Sequence, residues 1–255
     1  MRLARAAAAT AIFFCLIGTA RATPVDFCFT VWPPFAALEA GKPAGISVEI
    51  LTRAAMRAGF EASFTQLPWA RCLKETESGR FDAAVDGNPE RREYLHGRHS
   101  TTPVAIAFWV REGSPVQRFA GYDQFAGQTV GYTLGYNYVE AAMAALKNQL
   151  MVAPDDDAEV AMLLAGRVDA IIGDLVVIGA LAQRVKAPIR PLSPAAAETH
   201  YFPLFNPARA DKLARIDAAI GEMIAAGEVD TIFRDRIGLS HSDILRTLSR
   251  APETN

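Results

Sequence analysis

Short β-prone runs alternate with segments of helical periodicity along most of this chain, and few architectures accommodate that order. Val25–Val31 (VDFCFTV) is a β-prone run that Pro33-Pro34 brings to an end. In Ile46–Ala58 the apolar residues Ile46, Ile50, Leu51, Ala54 and Ala58 recur at helical spacing, and Gly59 follows as a C-terminal cap. Glu61–Leu67 is the next strand. The short helix Arg71–Ser78, stopped by Gly79, the buried strand Phe81–Val85 and the strong β run Val104–Val110 (VAIAFWV) complete a first cycle. A second cycle runs through strand Thr129–Tyr132, helix Tyr138–Lys147, the brief strand Met151-Val152 and helix Ala158–Ala165, to which Asp155–Asp157 offer an N-cap. Strand Val168–Ile172 and helix Leu175–Val185 follow. Tyr201–Phe205 (YFPLF) is a late strand, and Lys212–Ala226 is a long amphipathic helix capped by Gly227.

Strands that alternate with helices build parallel sheets flanked by those helices. Two similar cycles therefore predict an α/β fold of two lobes, each a mainly parallel sheet. The Gly-, Ser-, Pro- and Gln-rich segment Gly113–Gln128 holds one crossover near its start, and Lys186–Glu198, with three prolines, is the return. This assigns residues 23–111 and 197–249 to lobe 1, 112–196 to lobe 2, and 250–255 to a flexible tail. Two thin connections make a hinge. In open sheets of this kind ligands bind at the carboxyl ends of the strands, so the site belongs in the cleft.

The first 22 residues read as an export signal. Arg2 and Arg5 precede the small, apolar run Ala6–Gly18, and Ala20-Arg21-Ala22 supplies the small residues of a cleavage site, with cleavage after Ala22. The expected location is the periplasm, and the rest of the chain has no run apolar enough to span a bilayer. Removal of the signal takes Cys15, leaving Cys28 and Cys72. An oxidising compartment permits one disulfide between them; two buried free thiols remain the alternative. With 26 basic and 28 acidic residues overall, and three of the arginines in the signal, the body is mildly acidic, which gives no broad attraction to nucleic acid. The 51% hydrophobic content supports a core and excludes sequence-wide disorder. No phosphate loop or nucleophile elbow is present, His96 and His99 lack a ligand-bearing partner segment, and Asp155–Asp157 lacks the glycine and terminal Glu of a calcium loop. No metal or cofactor is expected.

Five motifs stand in a recognisable order. They are Trp32-Pro33-Pro34-Phe35 with Gly41-Lys42-Pro43-Ala44-Gly45-Ile46-Ser47-Val48-Glu49; Trp69 with Ser78-Gly79-Arg80-Phe81-Asp82-Ala83-Ala84; Pro89-Glu90-Arg91; Thr129-Val130-Gly131 with Gly135-Tyr136-Asn137; and Gly166-Arg167-Val168-Asp169-Ala170 with Asp174. Over about residues 25–240 the chain resembles the family 3 periplasmic solute-binding proteins, the polar amino-acid receptors of ABC transporters. The resemblance implies a type II periplasmic-binding fold and a ligand held without covalent chemistry. It places Trp32 and Trp69 as stacking walls, where core packing is the competing role. It gives Arg91, or its neighbour Arg92, the ligand's α-carboxylate through a guanidinium fork. Asp174 would take the α-ammonium, although an Asp before Leu175 is also a natural helix N-cap. Asn137 would present a helix N-terminus to the carboxylate, and Thr133 would line the pocket. Asp86 stands where the family commonly has Ser or Thr and adds negative charge to the cleft. Arg71 is unusual in this setting and is either a second anion contact or a surface residue.

The reading is a monomeric periplasmic receptor that captures a small polar solute, an amino acid above all, for a membrane permease of an ABC transporter. Ligand would favour the closed state through its differential affinity. Two alternatives stand beside it. One is a periplasmic dehydratase of the cyclohexadienyl (prephenate or arogenate) type, with Asp86 or Asp174 as general acid. The other is a ligand-binding sensor module.

Overall fold

A computed structural model describes residues 23–134, 138 and 140–248. The expected export signal, Asn137 and the tail from residue 250 lie outside the described residues. The elements follow in the order β1 Thr23–Phe29, β2 Ala37–Glu39, β3 Lys42–Ala44, α1 Ile46–Arg57, β4 Phe60–Gln66, α2 Trp69–Glu77, β5 Ala83–Gly87, β6 Thr102–Arg111, β7 Val130–Thr133, α3 Glu140–Leu146, β8 Leu150–Ala153, α4 Asp156–Leu164, β9 Ala170–Asp174, α5 Leu175–Val185, β10 Ile189–Pro191, β11 Ala197–Phe205, α6 Ala210–Ala225, α7 Glu228–Ile237 and α8 His241–Leu248.

The strands join in the order β4-β1-β5-β11-β6-β9-β7-β8, with β10 against β6. Both ends of this sheet are parallel: β1 pairs in parallel with β4 and β5, and β7 with β8 and β9. Its centre is antiparallel, because β6 and β11 run against their neighbours. These two long strands span the junction. In β11, Ala197–Tyr201 pair with β6, while Phe202, Leu204 and Phe205 pair with β5. In β6, Thr102–Ile106 pair with β11 and Ile106–Val110 with β9. The fold is the two-lobed α/β architecture expected, with parallel half-sheets linked through an antiparallel ribbon.

Side-chain alternation explains why the strands read as unbroken apolar runs. Val25, Phe27 and Phe29 of β1 enter the core beneath α1 and α6, whereas Cys28 faces the opposite cluster with Cys72, Leu73 and Leu204. In β6, Val104, Ile106, Phe108 and Val110 face one core, and Ala107 and Trp109 face another. Strands covered on both faces need no polar alternation.

Gly45 joins the two pieces of the first sequence motif. It sits at φ 115°, and a Cβ there would collide with the carbonyl of Phe35. The close approach lets Ile46 N–H donate to Pro34 O at 3.0 Å and Ser47 N–H to Phe35 O at 2.9 Å, which fixes the loop after β1 on the start of α1.

Cys28 on β1 and Cys72 on α2 form a disulfide with Cα atoms 5.6 Å apart. It ties the helix that carries Trp69 to the strand that leads to Trp32. Closing a loop between residues 44 apart in sequence restricts the unfolded chain, an effect of about 4 kcal/mol. The Cys28→Ala/Cys72→Ala variant is therefore expected to lose about 4 kcal/mol in urea unfolding; a loss below about 1 kcal/mol would contradict this.

Candidate ligand-binding site

A cavity of about 320 Å³ opens where the carboxyl ends of β1, β5 and β9 and the loop after β7 meet the middle of β6 and β11. Trp32, Trp69, Asp86, Arg91 and Asp174 all line it, and Tyr201 closes one side. The volume falls within the ~300–1,000 Å³ range of small-molecule sites.

Trp32 is half-buried, held by reciprocal backbone bonding with Ala36, and its ring lies 5.0 Å from Phe35 and 5.8 Å from Tyr201. It thus packs on the core and presents area to the cavity at once. Trp69 opens α2: the helix starts two residues earlier than the sequence spacing suggested, with Pro68 as its N-cap residue. Proline suits this boundary because its missing N–H would have no helical partner.

Arg91 lines the cavity, while the neighbouring Arg92 is exposed and lies outside the wall. Arg91 belongs to a loop pinned at both ends. Its own N–H donates to Asn88 O at 3.2 Å, and the buried Tyr94 donates its hydroxyl to Leu73 O at 2.9 Å. Its guanidinium has a loose ion pair with Glu93 at 3.6 Å.

Asp174 is the N-cap of α5 and also lines the cavity. Its Oδ1 accepts the Val176 and Val177 N–H groups at 2.9 Å each, capping α5, and its Oδ2 accepts the Ala105 N–H of β6 at 3.1 Å. Burial pushes its carboxyl up to about 7 in spite of these three donors. Asp86 follows the same pattern. Burial raises it to about 6, against the hydroxyls of Thr102, at 2.6 Å from Oδ1, of Ser47, and of Thr101, at 3.3 Å from Oδ1.

Two sequence candidates stand apart from the wall. Arg71 projects from α2 with its Nε 2.7 Å from Glu75 Oε1 and its side chain largely exposed. Thr133 is buried and donates its hydroxyl to Glu159 Oε2 at 2.8 Å, behind the cavity. Glu159 is itself fully buried, and burial raises its carboxyl to about 8. Asn137 falls outside the described residues. The sequence reading missed Tyr138 and Tyr201 on the wall. Tyr201 sat within a run read only as a strand, and its pairing with Thr102 of β6, distant in sequence, left no local signal.

The wall therefore offers indole faces, two carboxylates and a guanidinium. It can hold a small polar molecule at both ends. Among the described residues, no group of three or more His, Cys, Asp or Glu is arranged to hold a metal ion. Nor is any described helix long and apolar enough to cross a membrane.

A family model for bacterial extracellular solute-binding proteins, family 3, matches residues 28–238. The chain belongs to this family. Three solved structures illustrate the fold it shares. The arginine-, lysine-, histidine-binding protein ArtJ from the thermophilic bacterium Geobacillus stearothermophilus is 19% identical, with a TM-score of 0.70 over 89% of this chain and 100% of that one. A putative L-cystine ABC transporter from Listeria monocytogenes is 15% identical, with a TM-score of 0.71 over 87% of this chain and 99% of that one. A histidine kinase sensor domain with similarity to periplasmic binding proteins is 21% identical, with a TM-score of 0.68 over 86% and 97%. A search of the curated proteins finds no match.

The buried carboxyls of this solute-binding protein set its pH response. Asp86, Asp174 and Glu159, at about 6, 7 and 8, hold their protons more tightly folded than unfolded, where carboxyls titrate near 4. Their ionisation therefore removes stability as pH rises from about 4 to about 8. Asp82, whose burial is outweighed by Lys212, the Asp26 N–H and Arg209, is shifted downward and acts in the opposite sense only below that range. Burial lowers His200 and His241, so protonating them costs stability as pH falls below about 6.5 and opposes the carboxyls there. The urea midpoint of unliganded protein is therefore expected to rise between about pH 8 and about pH 6.5, and Glu159→Gln is expected to diminish the rise. A midpoint that is flat or falls on acidification over that range would contradict this.

Proposed function

We propose that this chain is an exported receptor that captures a small polar solute, an amino acid, in the cavity between its two lobes and delivers it to the permease of an ABC transporter. The observation that carries the reading is that opposed charges from the two half-sheets face one cavity: Arg91 follows β5, Asp174 ends β9, and Trp32 and Trp69 flank the space. A zwitterion matches that arrangement, its carboxylate on the guanidinium and its ammonium on the remaining acceptor capacity of Asp174. Support comes also from the fold neighbours, one described as an arginine-, lysine-, histidine-binding protein and another as a putative L-cystine ABC transporter.

Lobe 1 is residues 23–111 with 197–249, and lobe 2 is residues 112–196. The pairing of β6 and β11 with strands of both half-sheets favours a hinge inside these two strands, a few residues from those boundaries. Ligand touching both lobes stabilises the closed state, and closure presents the surface a permease reads. The receptor acts as a monomer in the periplasm after cleavage behind Ala22.

The sensor reading is favoured by the likeness to a histidine kinase sensor domain. The solute site would be the same, and only the partner would differ. The dehydratase reading is favoured by two cavity carboxyls that are protonatable near neutrality. Turnover of prephenate or arogenate, followed by chromatography, would establish it.

Isothermal titration against the standard amino acids is expected to find at least one that binds with one-to-one stoichiometry. Arg91→Ala should weaken that ligand by about tenfold to a hundredfold, the worth of a charge-assisted hydrogen bond, with little change in melting temperature. Absence of heat with every amino acid, or an Arg91→Ala variant that binds normally, would count against the reading.

A further inference from the structure

We propose that Asp86 is the specificity-determining residue of the cavity and selects a solute with a cationic nitrogen, an ammonium or a guanidinium, additional to its α-amino group. This rests on the solute-receptor reading of the same cavity.

Asp86 is held in a conformation that a side chain rarely adopts. It follows Val85 at φ 58°, in the left-handed region, at a cost on the order of 1 kcal/mol. Such a residue persists when its surroundings over-determine it, and here they do. Thr102 Oγ1 donates to Asp86 Oδ1 at 2.6 Å. The single hydroxyl proton of Thr102 is thereby used, so in the 2.9 Å contact between Ser47 Oγ and Thr102 Oγ1 the serine is the donor. The relay from Ser47 through Thr102 fixes the carboxyl from the first turn of α1 and the first residue of β6.

The other oxygen is left over. Asp86 Oδ2 is buried and, although the Ser47 hydroxyl favours the charged carboxyl, no donor among the described residues makes a hydrogen bond to this oxygen; Asp86 also forms part of the cavity wall. A buried carboxylate oxygen without a donor is costly, so a bound molecule that brings one gains what the unliganded protein lacks. The charges define that donor. The wall carries two carboxylates, Asp86 and Asp174, and one guanidinium, Arg91, which is already in a loose ion pair with Glu93. A neutral zwitterion would use Arg91 and Asp174 and leave Asp86 uncompensated. A solute with one more positive charge balances the wall. Trp32 and Tyr201, with rings 5.8 Å apart, add flat faces that attract cations.

The test is isothermal titration of the exported protein at about pH 8, where Asp86 is ionised, with two pairs of near-isosteres: arginine and citrulline, lysine and norleucine. Arginine or lysine is expected to bind at least about tenfold more tightly than its neutral counterpart, and Asp86→Asn is expected to bring the pair to within about threefold. Asp86→Ser serves as a second variant, and circular dichroism verifies that each folds. If neither does, the wild-type comparison decides alone. A neutral member that binds as well as its cationic partner overturns the proposal and leaves the receptor reading standing. So does a cation preference that persists in a folded Asp86 variant. Failure of these four and of every standard amino acid to bind overturns both.

Discussion

The antiparallel contact between β6 and β11 is the constraint on which the site depends. Each charged wall residue is referred to one of these strands. Asp86 is fixed through the hydroxyls of Thr101 and Thr102, the latter the first residue of β6. Asp174 lies opposite Ile106 of β6 and accepts the N–H of Ala105. The loop that carries Arg91 is returned to the sheet where Leu95 bridges to Phe205, the last residue of β11. Tyr201, also of β11, backs the ring of Trp32. A small rotation along this ribbon would therefore change the distances among all the wall groups together, which is what a ligand-driven closure needs.

The same arrangement explains why the unliganded cavity is a costly place. Two carboxyls are raised well above their ordinary range because burial outweighs the donors around them. The scaffold that tolerates this is covered on both faces of its strands, with Val25, Phe27 and Phe29 on one side of β1 and the Cys28–Cys72 bridge on the other. Within this frame Asp86 Oδ2 is the charged wall atom without a hydrogen bond among the described residues, and a guest bearing a donor would relieve it.

Much of this was legible in the chain because local rules and global fold agree. Helix α5 runs from Leu175 to Val185, the range that periodicity gave, and Asp174 caps it as its side-chain chemistry suggested. Asp155 likewise caps α4, by accepting the Ala158 N–H at 2.8 Å. The alternation of strands and helices led to the two-lobed α/β architecture. What escaped carries little local signal. The β2–β3 hairpin and β10 are three-residue strands, too short to show a period. Helices α7 and α8 lie in a charged segment where the apolar spacing is diluted. Thr133 could not be separated from the wall by sequence, because its hydroxyl is drawn away by Glu159, 26 residues further on. Arg71 was ambiguous for the same reason, and Glu75 one turn later supplies its partner at the surface.

The most direct measurement is a crystal structure of the protein grown with the amino acid that gives the strongest binding heat. The ligand is expected between Trp32 and Trp69, with its carboxylate on Arg91 and its ammonium at Asp174, so that both half-sheets touch it. A ligand held by one half-sheet alone, or seated outside the cavity, would contradict it.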